Sequence, residues 1–392
     1  MRINTKQLLL SLLLLLPITT LLQGIIPIVN RAFFFCVLSL LMLIILQKTY
    51  SKWEYLALIG FAISFIIPIF MTQGAPESIN LYFYFPFFVL FSLFVTKNFH
   101  LFFVFCENNH SYIKKIVFIW SCIVFLSLFF SSSYENGYFA SFTGHVFRSA
   151  TASSFILALV LLLCIKDPKC VLFSIMPMFC IFSGGSRTYL AIGLAIMVVL
   201  LYIITPSNKV FWRWLVPLCV VAVIILLNSS IMNKIVKTLT ISQDDYYQDP
   251  LRKFTSGRSV FWAADMREFF NMSFLRQLFG NGHNFVYDVN EEYFAKRIWA
   301  HNDFINILLT HGYLGLVCYM YFFVKMFKHC TASLKLPWYI NALLVFIWFF
   351  NAFFNMFYTY VCASASYPFI LIAVSQAYKV KQERALLRGN PS

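Results

Sequence analysis

Five side chains in this sequence are of a type, and in a place, to do chemistry on an anion: Arg148, Arg187, Arg258, His283 and His301. Arg187 follows the turn SGGS (183–186), Arg258 lies in SGRSVFW (256–262), and Arg148 closes SFTGHVFR (141–148). His283 belongs to GNGHN (280–284) and His301 to AHNDF (300–304), beside Asn302 and Asp303. A guanidinium offers a planar fork of donors that fits phosphate oxygens two at a time. A histidine titrates close to neutral pH and can take a proton from a hydroxyl. Arginines plus a histidine therefore describe a site that holds an anion and activates or orients a hydroxyl beside it.

Each of these residues also has a plainer reading. Arg187 can snorkel to lipid headgroups, whereas Gly184 and Gly185 leave room for close backbone approach and a grip on an anion. Arg258 can be a solvated arginine at the start of a helix expected over 259–270. If Ser256 or Ser259 caps that helix, its N-terminus adds partial positive charge beside the guanidinium. His301 alone reads as a satisfied interfacial histidine. His283 is weaker, because the glycines of GNGHN already account for a turn. His283, His301 and Asp303 match no zinc-ligand spacing, so no metal is expected, and no cofactor. The marks of a serine-hydrolase elbow, a P-loop, an HExxH helix or a dinucleotide fold are absent from the sequence.

The elements that must position these residues are membrane spans. The chain is 60% hydrophobic and 11% charged, with a mean hydropathy of +0.77, far from a soluble domain, in which about a quarter of residues are charged. Apolar runs predict twelve helices, near 7–23, 29–47, 53–71, 80–96, 116–132, 149–165, 170–183, 188–205, 212–228, 312–328, 337–355 and 361–378. The stretch 97–106 reads as an interfacial or re-entrant piece, and 302–310 as a short interfacial helix that His311 and Gly312 turn into the next span. The fold class expected is an all-α polytopic membrane protein: spans 1–9 in residues 1–228, one large loop with short helices in 229–303, and spans 10–12 with a tail in 304–392. The leucine-rich start lacks a small-x-small cleavage site and reads as an uncleaved first helix.

Lysine and arginine then orient the chain. With the N-terminus inside, the inner segments hold 18 of the 30 basic residues and the short outer ones only Arg31, Arg148 and Arg187, so both termini are expected in the cytoplasm and the loop outside. The loop's nine acids cancel its nine bases. The formal charge of +15 thus reports topology and lipid contact, and no nucleic-acid partner is implied. The ten cysteines avoid the loop, which excludes a disulfide framework there.

The order of SGGSRTYLAIGLA (183–195), SGRSVFW (256–262), GNGHNFVYD (280–288) and AHNDFINILLTHGYLG (300–315) resembles the superfamily of O-antigen ligases and O-antigen or capsular polysaccharide polymerases. The resemblance covers 140–328 by motif and the remainder by topology. It implies a bacterial inner-membrane enzyme of about twelve spans, which transfers a glycan from undecaprenyl pyrophosphate to an acceptor hydroxyl without metal or nucleotide sugar. Arg187 and Arg258 would bind the pyrophosphate, with Arg148, Asn302 and His283 as further binding candidates, and His301 would deprotonate or orient the hydroxyl. The partners implied are a lipid-linked donor and acceptor, membrane lipids and a chain-length regulator. A polymerase is the first expectation, on the association of such proteins with divergent, aromatic-rich sequences. The alternatives are a ligase delivering glycan to lipid A core and a glycolipid flippase. Transport is disfavoured because Glu54, Glu77, Glu107, Glu135 and Asp167 sit at span ends or in loops.

Overall fold

The computed structural model describes residues 4–72, 80–135, 137–227, 255, 257–332 and 334–387. Most of the first third of the expected loop, 228–254, and the proposed cap Ser256 lie outside the described residues. The chain is helical apart from a two-residue hairpin, Tyr134–Glu135 (β1) with Tyr138–Phe139 (β2). The helices are α1 (Thr5–Leu21), α2 (Pro27–Leu46), α3 (Lys52–Met71), α4 (Leu81–Asn108), α5 (His110–Ser127), α6 (Val146–Lys166), α7 (Ile175–Ser183), α8 (Arg187–Ile204) and α9 (Asn208–Leu227). Beyond the long loop come α10 (Arg258–Asn271), α11 (Phe274–Phe279), α12 (Phe285–Phe294), α13 (Asp303–Thr331), α14 (Trp338–Asn355) and α15 (Val361–Leu387).

Among the described residues, ten helices are long and apolar enough to cross a membrane, against twelve expected spans. The expected span 170–183 falls on a 3-10 run, Pro168–Ser174, leading into the nine-residue α7, too short to span alone. The expected span near 212–228 falls on the 20-residue α9. The chain is a multi-pass membrane protein of all-α class.

The bundle is organised around α6. Its most apolar window is 89% buried, whereas that of α3 is 17% buried, which sets α6 at the centre and α3 on the lipid-facing rim. The first turns of α6 explain why it can sit there: Ser149, Ala150, Thr151, Ala152, Ser153 and Ser154 are small and all buried. Small side chains let helices approach closely where no hydrophobic effect drives association. The hydroxyls of Thr151, Ser153 and Ser154 are satisfied within the helix, as in Ser153 Oγ donating to Ser149 O at 2.7 Å.

Two expectations change. Residues 97–106 are not a separate re-entrant piece: α4 continues through them for 28 residues with a bend at Asn98. The polarity that suggested an end is satisfied in place. Asn98 Nδ2 donates to Phe94 O at 2.9 Å, and Lys97 Nζ bonds Glu54 at 2.8 Å. Glu54, buried at the start of α3, also binds Lys325 of α13 at 2.7 Å, so one carboxylate joins three helices at the bundle end opposite the long loop. The second change is the cap of α10. Gly257 occupies the cap position with φ +84, and the Thr255 hydroxyl, not a serine, accepts from Ser259 N at 3.0 Å.

The expected turn at His311 and Gly312 is a break inside one 29-residue helix. Gly312 has φ +66 and ψ −168, conformations open to glycine because it has no Cβ. The break frees carbonyls of the preceding turn, which cannot stay unpaired in lipid. The GNGHN segment satisfies them: Asn281 N donates to Leu309 O at 2.9 Å and Gly282 N to Thr310 O at 3.4 Å. The motif is thus the bonding partner of a broken helix.

Candidate functional site

At the bundle end where the long loop enters and leaves, the loop-side ends of α1, α2, α4, α6 and α15 surround a cavity of about 650 Å³. Its polar lining includes Arg31, His145, Arg148, Arg297, His301 and Tyr360. That size lies in the range of small-molecule sites, roughly 300–1,000 Å³.

His301 lies just before α13 and adopts φ +52, an uncommon conformation for a side chain of this kind, maintained only where surroundings enforce it. The enforcement comes from both sides. On the upstream side, Trp262 Nε1 donates to Ala300 O at 2.6 Å and Asn290 Nδ2 to Ile298 O at 3.1 Å. On the downstream side, Asn302 caps α13 by accepting from Ile305 N at 3.2 Å. Burial first, then the charges of Arg258 and His145, push the His301 ring down to about 3. Its Nδ1 is buried and makes no hydrogen bond. Burial thus disfavours the protonated ring, where the sequence alone suggested a histidine titrating near neutral pH.

Arg258 begins α10. One Nη donates to Phe354 O, and the guanidinium lies 6.0 Å from the ring centre of Phe147, itself a wall of the cavity. Arg187 begins α8 after a cap by Ser186 and is close enough to Arg258 for the like charges to depress the latter, after the larger effect of burial. Arg258 is thus within electrostatic reach of His301 and Arg187 within reach of Arg258, although neither arginine lines the cavity as His301 and Arg148 do. Gly184, before Arg187, serves packing. A Cβ on Gly184 would stand 2.9 Å from Cys180 O and 3.3 Å from Phe139 O.

Two candidates are placed elsewhere. His283 is buried outside the cavity, its ring edge-on to Tyr82 at 4.5 Å and to His311 at 5.2 Å, and its N–H donates to Thr72 Oγ1 at 3.0 Å. Asn302 is 1% exposed and its side-chain oxygen is taken up by the cap. Neither lines the cavity. Among the described residues, no three His, Cys, Asp or Glu side chains converge on one point.

Sequence reasoning passed over Arg31, His145, Arg297 and Tyr360. Only Arg31 carried a signal, as one of three isolated basic residues on the outer side. Arg297 is held by Asp288 at 3.0 Å and Glu291 at 2.5 Å. Asp303 acts at one remove: its Oδ2 accepts from Tyr319 Oη at 3.0 Å and from Tyr358 N at 3.1 Å, fixing the 356–360 turn that closes the cavity.

Asp265, one turn after Trp262 on α10, is fully buried, and burial pushes its carboxyl up to about 8, against a smaller opposing effect of Asn290. At neutral pH it is a neutral acid beside the residue that grips the strand before His301. The folded state retains a proton that an unfolded chain releases above the ordinary carboxylate range, so this group costs stability as pH rises toward 8. Activity is expected to fall above pH 8, and Asp265→Asn to remove that alkaline loss. A pH–rate profile of the two proteins checks this; the same alkaline limb in both would exclude Asp265 as its source.

Fold and site define a multi-pass membrane protein with a basic, partly enclosed cavity at one membrane surface. Residues 171–320, less than half of the chain, are similar to the family model described as O-antigen ligase. The matched segment contains Arg187, Arg258 and His301 but neither Arg31 nor Arg148. No curated protein and no solved structure matches the chain.

Proposed function

We propose that this protein transfers a glycan from a polyprenyl pyrophosphate to an acceptor hydroxyl at the external membrane surface, without a metal or nucleotide sugar. The observation that carries this reading is that His301 and Phe147 line one cavity, that the Arg258 guanidinium lies against the Phe147 ring, and that Arg258 acts electrostatically on His301 and Arg187 on Arg258. In the reaction, the acceptor oxygen attacks the anomeric carbon and the bond from that carbon to the pyrophosphate oxygen breaks. The pyrophosphate leaves with the electron pair, and the hydroxyl proton passes toward His301. Arg258 and Arg187 would stabilise the charge that grows on the leaving group, where preorganised donors matter most. A bound pyrophosphate would also offset the guanidinium charge that keeps His301 weakly basic, so donor binding would raise its proton affinity when needed.

The description of the matched family favours a ligase, with a lipid-anchored core glycan as acceptor, over the polymerase expected from the sequence. Reconstitution with an undecaprenyl-linked glycan, with and without lipid A core, separates them. Transfer only when core is present supports the ligase, and a ladder of lengthening chains without core supports the polymerase. No transfer in either arm would defeat the proposal.

His301→Ala is expected to lose transfer by about 10²–10⁴-fold with normal protein level. In the wild type, kcat/KM is expected to show no acid limb near pH 6.5, because the ring stays neutral until pH falls toward 3. A limb near 6.5 that disappears in His301→Gln would contradict the buried, depressed imidazole.

A further inference from the structure

We propose that Arg31 and Arg148, which share a cavity with His301, form a second anion subsite that holds a phosphate on the acceptor. The inference rests on the transferase reading above. Arg31 stands in the first turns of α2 and Arg148 in the first turn of α6, and both line the cavity. Both lie within electrostatic reach of the buried Tyr84 hydroxyl, so the two charges converge on one wall. Among the described residues, neither forms an ion pair. Arg297, in the same cavity, is bound by two carboxylates. Glu135, which acts on the nearby His145, spends its Oε2 on Val146 N at 2.8 Å, at the N-terminus of α6 where a carboxylate is favoured. Two exposed guanidiniums that line one cavity and form no ion pair among the described residues leave their donor forks available to an incoming anion.

The direction of the chemistry explains why that anion belongs to the acceptor. Displacement at the anomeric carbon puts the attacking oxygen and the leaving group on opposite sides. His301, His145, Arg148 and Arg31 line one cavity, whereas Arg258 and Arg187 are not part of its lining. With the pyrophosphate at Arg258 and Arg187, the hydroxyl that His301 receives approaches from the side of His145, Arg148 and Arg31. The ligand class is a phosphate-bearing glycolipid. A pyrophosphate-linked glycan and a phosphorylated lipid-anchored core sugar both present that group.

Steady-state transfer by the reconstituted full-length protein tests this, with each of those two acceptors and with a phosphatase-treated core acceptor. In Arg31→Gln and Arg148→Gln, the KM for the phosphate-bearing acceptor should rise roughly tenfold or more, while the KM for donor changes by less than about twofold. Whichever acceptor shows the effect identifies the phosphate's source. With wild-type protein, removing the acceptor phosphate should raise KM similarly, and the substitutions should add nothing further. That wild-type comparison decides the matter even if a variant is poorly folded. An unchanged acceptor KM on removal of the phosphate, or a rise confined to the donor KM in the variants, overturns the subsite while leaving the transferase intact. Absence of transfer to any acceptor by wild-type protein overturns both.

Discussion

Arg258→Lys is expected to be nearly as damaging as Arg258→Ala, each lowering kcat/KM for glycan transfer by about 10²–10³-fold. The guanidinium does two things at once: one Nη donates to Phe354 O, and the remainder of the fork is left to meet an anion beside His301. Lysine has the charge but not the rigid planar fork, so its ammonium must choose between the carbonyl and the anion. Burial sharpens the difference, since it already disfavours the charged form of Arg258 and an ammonium shifts more readily when desolvated. The measurement is transfer by purified variants at matched protein concentration. A lysine variant within about tenfold of wild type, roughly 1.4 kcal/mol, would show that charge alone suffices and that the fork has no role.

The second large effect is on folding. Gly280→Val and Gly312→Val are each expected to abolish recovery of folded protein. At Gly280 a Cβ would stand 2.2 Å from Thr310 O, and at Gly312 it would stand 2.4 Å from Leu278 O. Both positions also have positive φ, +86 and +66. Overlap with backbone cannot be relieved by a rotamer change, and a β-branched residue in this region adds strain of order 1–3 kcal/mol. Because each glycine faces the segment containing or preceding the other, either substitution separates 281–282 from the carbonyls of Leu309 and Thr310, leaving polar groups unpaired. Size-exclusion behaviour in detergent and a thermal unfolding curve report the outcome. A monodisperse Gly312→Val protein with Tm within about 2 °C of wild type would show that the break is tolerant.

The two glycines show what could be read from the sequence. GNGHN announced a turn, and Gly312 a change of direction before the next span; both are present. Their mutual bonding was not legible, because the carbonyls that need partners exist only once the helix is broken. The same limit explains α4. Lys97 and Asn98 look like the end of a span until Glu54, 43 positions earlier, arrives as partner. At the site, Arg148, Arg187, Arg258 and His301 were legible because isolated charge in an apolar chain is conspicuous. His283 was conspicuous for the same reason and proves to be packed away, since type and exposure in sequence do not reveal which polar groups the fold consumes. Arg31 entered only as a topological marker; its place in the cavity depends on the first turns of α2 and α6 both reaching that cavity.

Helix α10 holds Arg258 at its first turn and, one turn later, the indole that fastens Ala300. The guanidinium and the imidazole are therefore mounted on one short bar rather than on two independent loops. For protein engineering, 258–301 is a single cassette: chimeras between relatives with crossovers inside it would pair one parent's arginine with another parent's histidine spacing. Crossovers between α9 and Thr255, and again within α13 beyond Gly315, would carry the pair across intact, while Arg31 and Arg148 would stay behind with the host. Such a hybrid would inherit its leaving-group handling from one parent and its acceptor choice from the other.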